Sequence, residues 1–183
     1  MKTIRAILIL AGTLPIHAQM CVTPPAGLVG WWPGNGNTSD VYGGNHGTLE
    51  NGATFGTGKV GQGFSLDGIN DHVMIPHNSN QNLTSYSLHA WIKITAPSVD
   101  FQTIIAKTDN TVLGAETRNF GLYVNQEGWP QGLGRRLHTS FAYAPGVFAA
   151  VQNTTMITDG LYHLVVVTFA SSAGLKIYLD GVD

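Results

Sequence analysis

Charge is scarce in this chain: only 11% of its 183 residues are Asp, Glu, Lys or Arg. There is also no long Glu/Lys/Ala stretch, the composition from which exposed helix faces are built, so a helix-rich fold is disfavoured. Basic residues number nine and form no run, which excludes a basic nucleic-acid surface; the net charge of −2 and a pI near 6.3 agree. Cysteine is nearly absent. Cys21 stands alone, so it has no partner within this sequence: it pairs with another chain, or with a residue this sequence does not include, or is an idle thiol in a loose N-terminus. Met20 precedes it, not the small residue that lipidation of a cysteine favours. Beyond residue 19 no apolar stretch approaches the roughly 20 residues that span a bilayer.

Catalytic patterns are missing as well. Glu50, Glu116 and Glu127 are isolated, and no strand-like segment carries two carboxylates two or four residues apart, the spacing that alternation would place on one strand face. The seven histidines lack metalloprotease helix spacing, and no Gly-x-Ser-x-Gly elbow occurs.

What the chain has in abundance is glycine: 23 residues, nearly twice the usual share. Glycine is costly inside regular elements and at home in turns, so many short strands joined by turns fit this composition. The N-terminus differs from the rest. "MKTIRAILILAGTLPIHAQ" places Lys2 and Arg5 before an apolar stretch from Ala6 to Leu14, and Ile16-His17-Ala18 offers a cleavage site. Residues 1–18 therefore read as a secretory signal, which predicts a secreted or cell-surface protein with no membrane insertion once the signal is removed.

Residues 19–27, with Pro24 and Pro25, read as a lead-in. Strand signals follow at Leu28–Trp32, where Trp31 and Trp32 would face opposite ways and at least one would enter a core. Further short strands are expected at Gly61–Asp67 and His72–Ile75 on either side of the turn-rich "DGIND". Tyr86–Thr95 alternates, with Leu88, Ala90, Ile92 and Ile94 on one side and Ser87, His89, Trp91 and Lys93 on the other. Gln102–Lys107, Asn119–Asn125 and a hairpin of Arg136–Tyr143 with Val147–Gln152 continue the series. Leu161–Ala170 is apolar on both faces, as in the middle of a packed sheet, and Leu175–Asp180 follows. Strands at this spacing predict an all-β, two-sheet antiparallel sandwich over residues 28–183. The chain stops three residues after Asp180, straight after a strand, which reads as a fragment of a longer protein.

Several ordered motifs carry a resemblance. They are Asp40 with Asn45 and Gly47; Phe64, Asp67, Gly68, Asp71 and Val73; and Ala90-Trp91. "DGLYHLVVVTF" at Asp159–Phe169 and "LKIYLDG" follow. Together they resemble the LamG-like jelly-roll domains of the concanavalin A-like lectin/glucanase superfamily, with Tyr162 where a Trp is usual. The resemblance implies a jelly roll whose last strands lie beyond this sequence. It also implies two kinds of function: a non-catalytic module that recognises carbohydrate or an extracellular protein surface, or a glycosidase of the same superfamily with catalytic residues outside this stretch.

Two candidate sites follow. The loop Asn37–Gly47 offers Asn37, Asp40 and Asn45 as oxygen donors, and the resemblance implies a structural Ca²⁺ there, held by Asp40 and Asn45; the same residues also simply make turns. For sugar binding, Trp129 lies in a polar loop with Arg118 near it in sequence, while Trp91 and Tyr123 sit on strands where they either line a sheet face or pack in the core. Asn-x-Ser/Thr sequons occur at Asn37, Asn82 and Asn153 and matter only in a glycosylating host.

Overall fold

The computed structural model describes residues 23–95, 101–109, 117–124, 134–144 and 147–183. Cys21, Trp129 and the segment read as a signal, residues 1–18, lie outside them. The described residues form eleven strands and one 3₁₀ turn. The first four strands are short: β1 (Thr48–Glu50), β2 (Thr54–Thr57), β3 (Gln62–Ser65) and β4 (His72–Met74). β1 pairs with β4 and β2 with β3, both antiparallel. The seven that follow are longer: β5 (Tyr86–Lys93), β6 (Gln102–Asp109), β7 (Thr117–Val124), β8 (Leu137–Ala144), β9 (Val147–Gln152), β10 (Tyr162–Ala170) and β11 (Gly174–Leu179).

These seven build two antiparallel sheets, ordered β11-β10-β5 and β6-β7-β8-β9. Alternation decides how they meet. On β5 the buried or half-buried residues are Tyr86, Leu88, Ala90 and Ile92, and the exposed ones are Ser87, His89, Trp91 and Lys93. Leu88 and Ala90 pair across to Val167 and Val165 on β10, so one face of this sheet is a continuous apolar layer. It packs against Phe120, Leu122 and Val124 of β7 and Leu137 of β8, with Ile157 and Ile177 closing the cluster. Leu122, Leu137, Val165 and Val167 have no measurable exposure, so this layer between the sheets is the core of the fold and its main hydrophobic support. A two-sheet antiparallel jelly-roll sandwich is thus the architecture, and β10 is the central strand of its sheet.

One strand expectation needs correction. Leu28–Trp32 forms no strand. The Trp31 N–H is taken by the Asp40 carboxylate at 2.8 Å and its carbonyl accepts from the Val41 N–H at 2.9 Å, so its backbone is committed to the following loop and not to a ladder. β10 takes the mid-sheet place its apolar sequence predicted; Val165 and Val167 are buried, while Leu164 and Val166 on the other face are half-buried. The sheet's outer face has no second layer over it among the described residues.

Candidate functional site

Three polar or aromatic constellations stand out: a loop hub around Asp40, a clamp around His163, and the outer face of the β5-β10-β11 sheet.

The hub is built by turn chemistry. Asp40 is only 4% exposed. Its Oδ1 accepts the N–H groups of Trp31, Tyr42 and Gly43 at 2.8, 3.0 and 2.9 Å. Its Oδ2 accepts the Asn45 N–H at 3.0 Å and the Asn45 amide at 3.4 Å. Burial pushes the Asp40 carboxyl up, but the bonds from Trp31, Gly43, Tyr42 and Asn45 outweigh it and hold its pKa down to about 2. Gly43 is required by close approach: a Cβ there would lie 2.1 Å from the Val29 carbonyl oxygen. Trp32 closes the loop by donating from Nε1 to the Asn45 carbonyl at 2.8 Å.

The structure therefore brings the two expected metal ligands, Asp40 and Asn45, into contact. Their donor set does not fit a cation. Both Asp40 oxygens already face N–H donors, and the Asn45 Oδ1 accepts from Asn78 at 2.6 Å. Ca²⁺ needs six to eight oxygens with free lone pairs, and among the described residues no cluster of three or more His, Cys, Asp or Glu side chains is placed to hold a metal.

The clamp joins the last two strands. His163 Nδ1 lies 2.7 Å from Asp180 Oδ2, and its Nε2 lies 2.9 Å from Asp159 Oδ1. Hydrogen bonds donated by the His163 ring to Asp159 and then Asp180 raise the His163 pKa, and His163 in turn lowers both carboxyls. Asp180 also accepts the Leu164 N–H at 2.9 Å, tying the β11 end to β10. The other carboxylate pair, Asp67 and Asp71, spans the "DGIND" turn reciprocally: Asp71 accepts the Asp67 N–H at 3.0 Å, and Asp67 accepts those of Ile69, Asn70 and Asp71. In both places the carboxylates are spent on backbone or histidine donors.

The outer sheet face is different, because its side chains point to solvent. Trp91 is 48% exposed, with the Lys59 ammonium 5.1 Å from its ring centroid. One row further along, Lys93 sits 5.6 Å from the Tyr162 ring. Tyr162 donates its hydroxyl hydrogen to the Thr57 carbonyl, which anchors the β2–β3 hairpin at this end of the sheet. Tyr178 pairs with Val166, and Val166 with His89, so an aromatic ring, an aliphatic side chain and an imidazole form one row.

The remaining sugar-site candidates lie elsewhere. Tyr123 is 9% exposed, on the outer side of the four-stranded sheet, its ring tilted against that of His138 with centroids 6.2 Å apart. It is therefore on the opposite sheet from Trp91, and the structure does not bring the two together. The Arg118 side chain and the whole of Trp129 lie outside the described residues. Sequence reasoning named Trp91 but missed Lys59, Tyr162 and Tyr178, which the fold gathers around it. The alternation that placed Lys93 beside Trp91 was a usable signal; Lys59 comes from a separate hairpin and left none.

Fold and surface thus define a β-sandwich with an open aromatic sheet face and no strand, among those described, that carries two carboxylates. A laminin G-type family model, described as the concanavalin A-like lectin/glucanases superfamily, matches residues 67–183, and the chain belongs to that family. The Asp40 hub lies ahead of the matched stretch; β5, β10 and β11 lie within it. Comparison with curated proteins and with solved structures gives no match. No helix among the described residues is long and apolar enough to cross a membrane.

Proposed function

We propose that this chain is a non-catalytic binding module of an exported protein and that it recognises carbohydrate through the outer face of β5-β10-β11. The observation that carries this reading is Trp91: a large ring left half-exposed on a regular strand, flanked by polar and cationic side chains, where a core residue would have been covered. Exposed aromatic faces stack on sugar C–H groups, and neighbouring polar groups take the hydroxyls. The carboxylates described above are committed to turns and to His163, which supports recognition over hydrolysis. The signal-like residues 1–18 support export.

The test is a polysaccharide pull-down and glycan array with the intact chain and with Trp91→Ala, with a reducing-sugar assay on every polysaccharide bound. Binding that Trp91→Ala abolishes, without release of reducing ends, is the expected result. Hydrolysis by the intact chain would move the assignment to a glycosidase, and unchanged binding by Trp91→Ala would remove this face from the site.

A further inference from the structure

Where the Asp40 loop meets the connection between β4 and β5, Gly44, Asn45, His46, Pro76, His77 and Asn78 line a cleft of about 300 Å³. None of the six is acidic. The side-chain carbonyls that could serve a donor there are already occupied. Asn45 Oδ1 accepts the Asn78 amide at 2.6 Å, and Asn78 Oδ1 accepts the Asn80 N–H at 3.1 Å. What the cleft offers a ligand is therefore decided by its two imidazoles.

Both rings are held through the same atom. The Asp40 backbone N–H donates to His46 Nδ1 at 3.2 Å. The Lys107 ammonium, reaching over from β6, donates to His77 Nδ1 at 3.0 Å. A backbone amide and an ammonium only donate, so each Nδ1 carries a lone pair and the ring proton resides on Nε2. Each imidazole thus keeps one N–H donor to give. A metal would need the opposite tautomer, with the lone pair on Nε2 and an Nδ1–H aimed at an acceptor, which excludes a His46–His77 metal pair. The bond from Lys107 does more than orient His77: it polarises the ring and strengthens its Nε2–H as a donor.

We propose that this cleft binds the carboxylate group of a small molecule, which takes the Nε2–H donors of His46 and His77 with the Lys107 charge behind His77. Two donors and one cation match a single negative charge. A second charge would be repelled, because Asp40 lies behind the Asn45 wall, whose backbone N–H donates to its Oδ2 at 3.0 Å. The cleft is at the small end of ligand pockets, with Pro76 as its apolar side, so the rest of the ligand is a compact organic group. The site is separate from the β5-β10-β11 face and stands whether or not that face binds carbohydrate.

The test is a titration of the full chain at constant ionic strength and near-neutral pH, with the histidine ring signals followed by NMR. The probes are benzoate, its neutral amide benzamide, inorganic phosphate and Zn²⁺. Benzoate should shift the His46 and His77 rings saturably and leave those of His72, His89 and His163 in place. It should bind roughly tenfold or more tightly than benzamide, since hydrogen bonds to a charged acceptor are the stronger ones. Phosphate should bind no more tightly than benzoate, and Zn²⁺ should leave both rings unshifted. His77→Ala and Lys107→Met, neither of which touches the Asp40 hub, should each keep the wild-type melting temperature and weaken benzoate roughly tenfold. Benzamide bound as tightly as benzoate, shifts spread evenly over all the histidines, or variants that bind benzoate like the wild type would overturn the site. Tighter binding of phosphate would overturn the single-charge assignment. Uptake of Zn²⁺ by His46 and His77 would overturn the tautomers on which the proposal stands.

Discussion

The two faces of β5 are made of alternate residues of one eight-residue segment, yet they have opposite fates. Tyr86, Leu88, Ala90 and Ile92 enter the layer between the sheets; Ser87, His89, Trp91 and Lys93 meet water, Lys59 and one another. The inner face holds the fold together, and the outer face contributes little to it. Recognition can occupy the outer face because the core does not need it. If that division is real, substitutions on one face should change stability and those on the other should change binding.

The largest expected effect comes from the inner face. Leu88→Ala should cost about 3 kcal/mol in urea unfolding, from lost transfer and an unfilled cavity, with polysaccharide binding retained below the transition. A loss of binding in the folded variant would blur the comparison. Next is the Asp40 hub, which serves neither face. Asp40→Ala should cost about 2 kcal/mol, because four backbone N–H groups lose a charged acceptor in a nearly buried site. Its pH dependence has a fixed sign. The folded pKa of about 2 lies below the ordinary carboxyl value of 3.8, so the contribution is full above that value and fades as pH falls toward 2. Acid unfolding monitored by Trp fluorescence checks this.

On the outer face, Trp91→Ala should change stability by less than about 0.5 kcal/mol while binding falls tenfold or more. A large drop in melting temperature would mean the ring belongs to the fold after all. A smaller effect lies at the sheet's end, in the Asp159–His163–Asp180 clamp. His163 has a raised pKa, so its contribution is complete below about 6.5 and is lost as pH rises through the folded value. Asp159 and Asp180 have lowered values, so theirs are present above 3.8 and lost as pH falls through the folded ones. The clamp is tightest between those limits, and His163→Gln should flatten the stability–pH profile on the alkaline side of that window. The smallest expected effect is calcium's: millimolar Ca²⁺ should leave the melting temperature unchanged, and a rise that Asp40→Asn removes would reinstate the ion.

The outline of the sandwich was legible because the long strands alternate. The period of two in "YSLHAWIK" sorted core from surface residue by residue, and the strands from β5 onward fall close to their expected bounds. β1 and β2 were not legible, since three or four residues hold too few alternations to show a period. Trp31 and Trp32 misled for the opposite reason: their apolar look hid a backbone captured by Asp40, nine residues downstream of Trp31. The candidate site was half legible. Trp91, His89 and Lys93 share a strand face in the sequence itself, but Tyr162 and Tyr178 join them only through the β10 and β11 registers. The His163 clamp needed the same register, because Asp180 reaches it across a turn.

Trp31 and Trp91 offer an internal control, being 49% and 48% exposed on different parts of the molecule. Oxidative footprinting of the full chain with and without a saturating polysaccharide ligand, read by mass spectrometry, would follow both rings at once. Slower labelling at Trp91, with Tyr178 following it and Trp31 unchanged, is the predicted result. Protection of Trp31 instead, or of Tyr123 on the opposite sheet, would contradict the assignment of recognition to the outer face of β5-β10-β11.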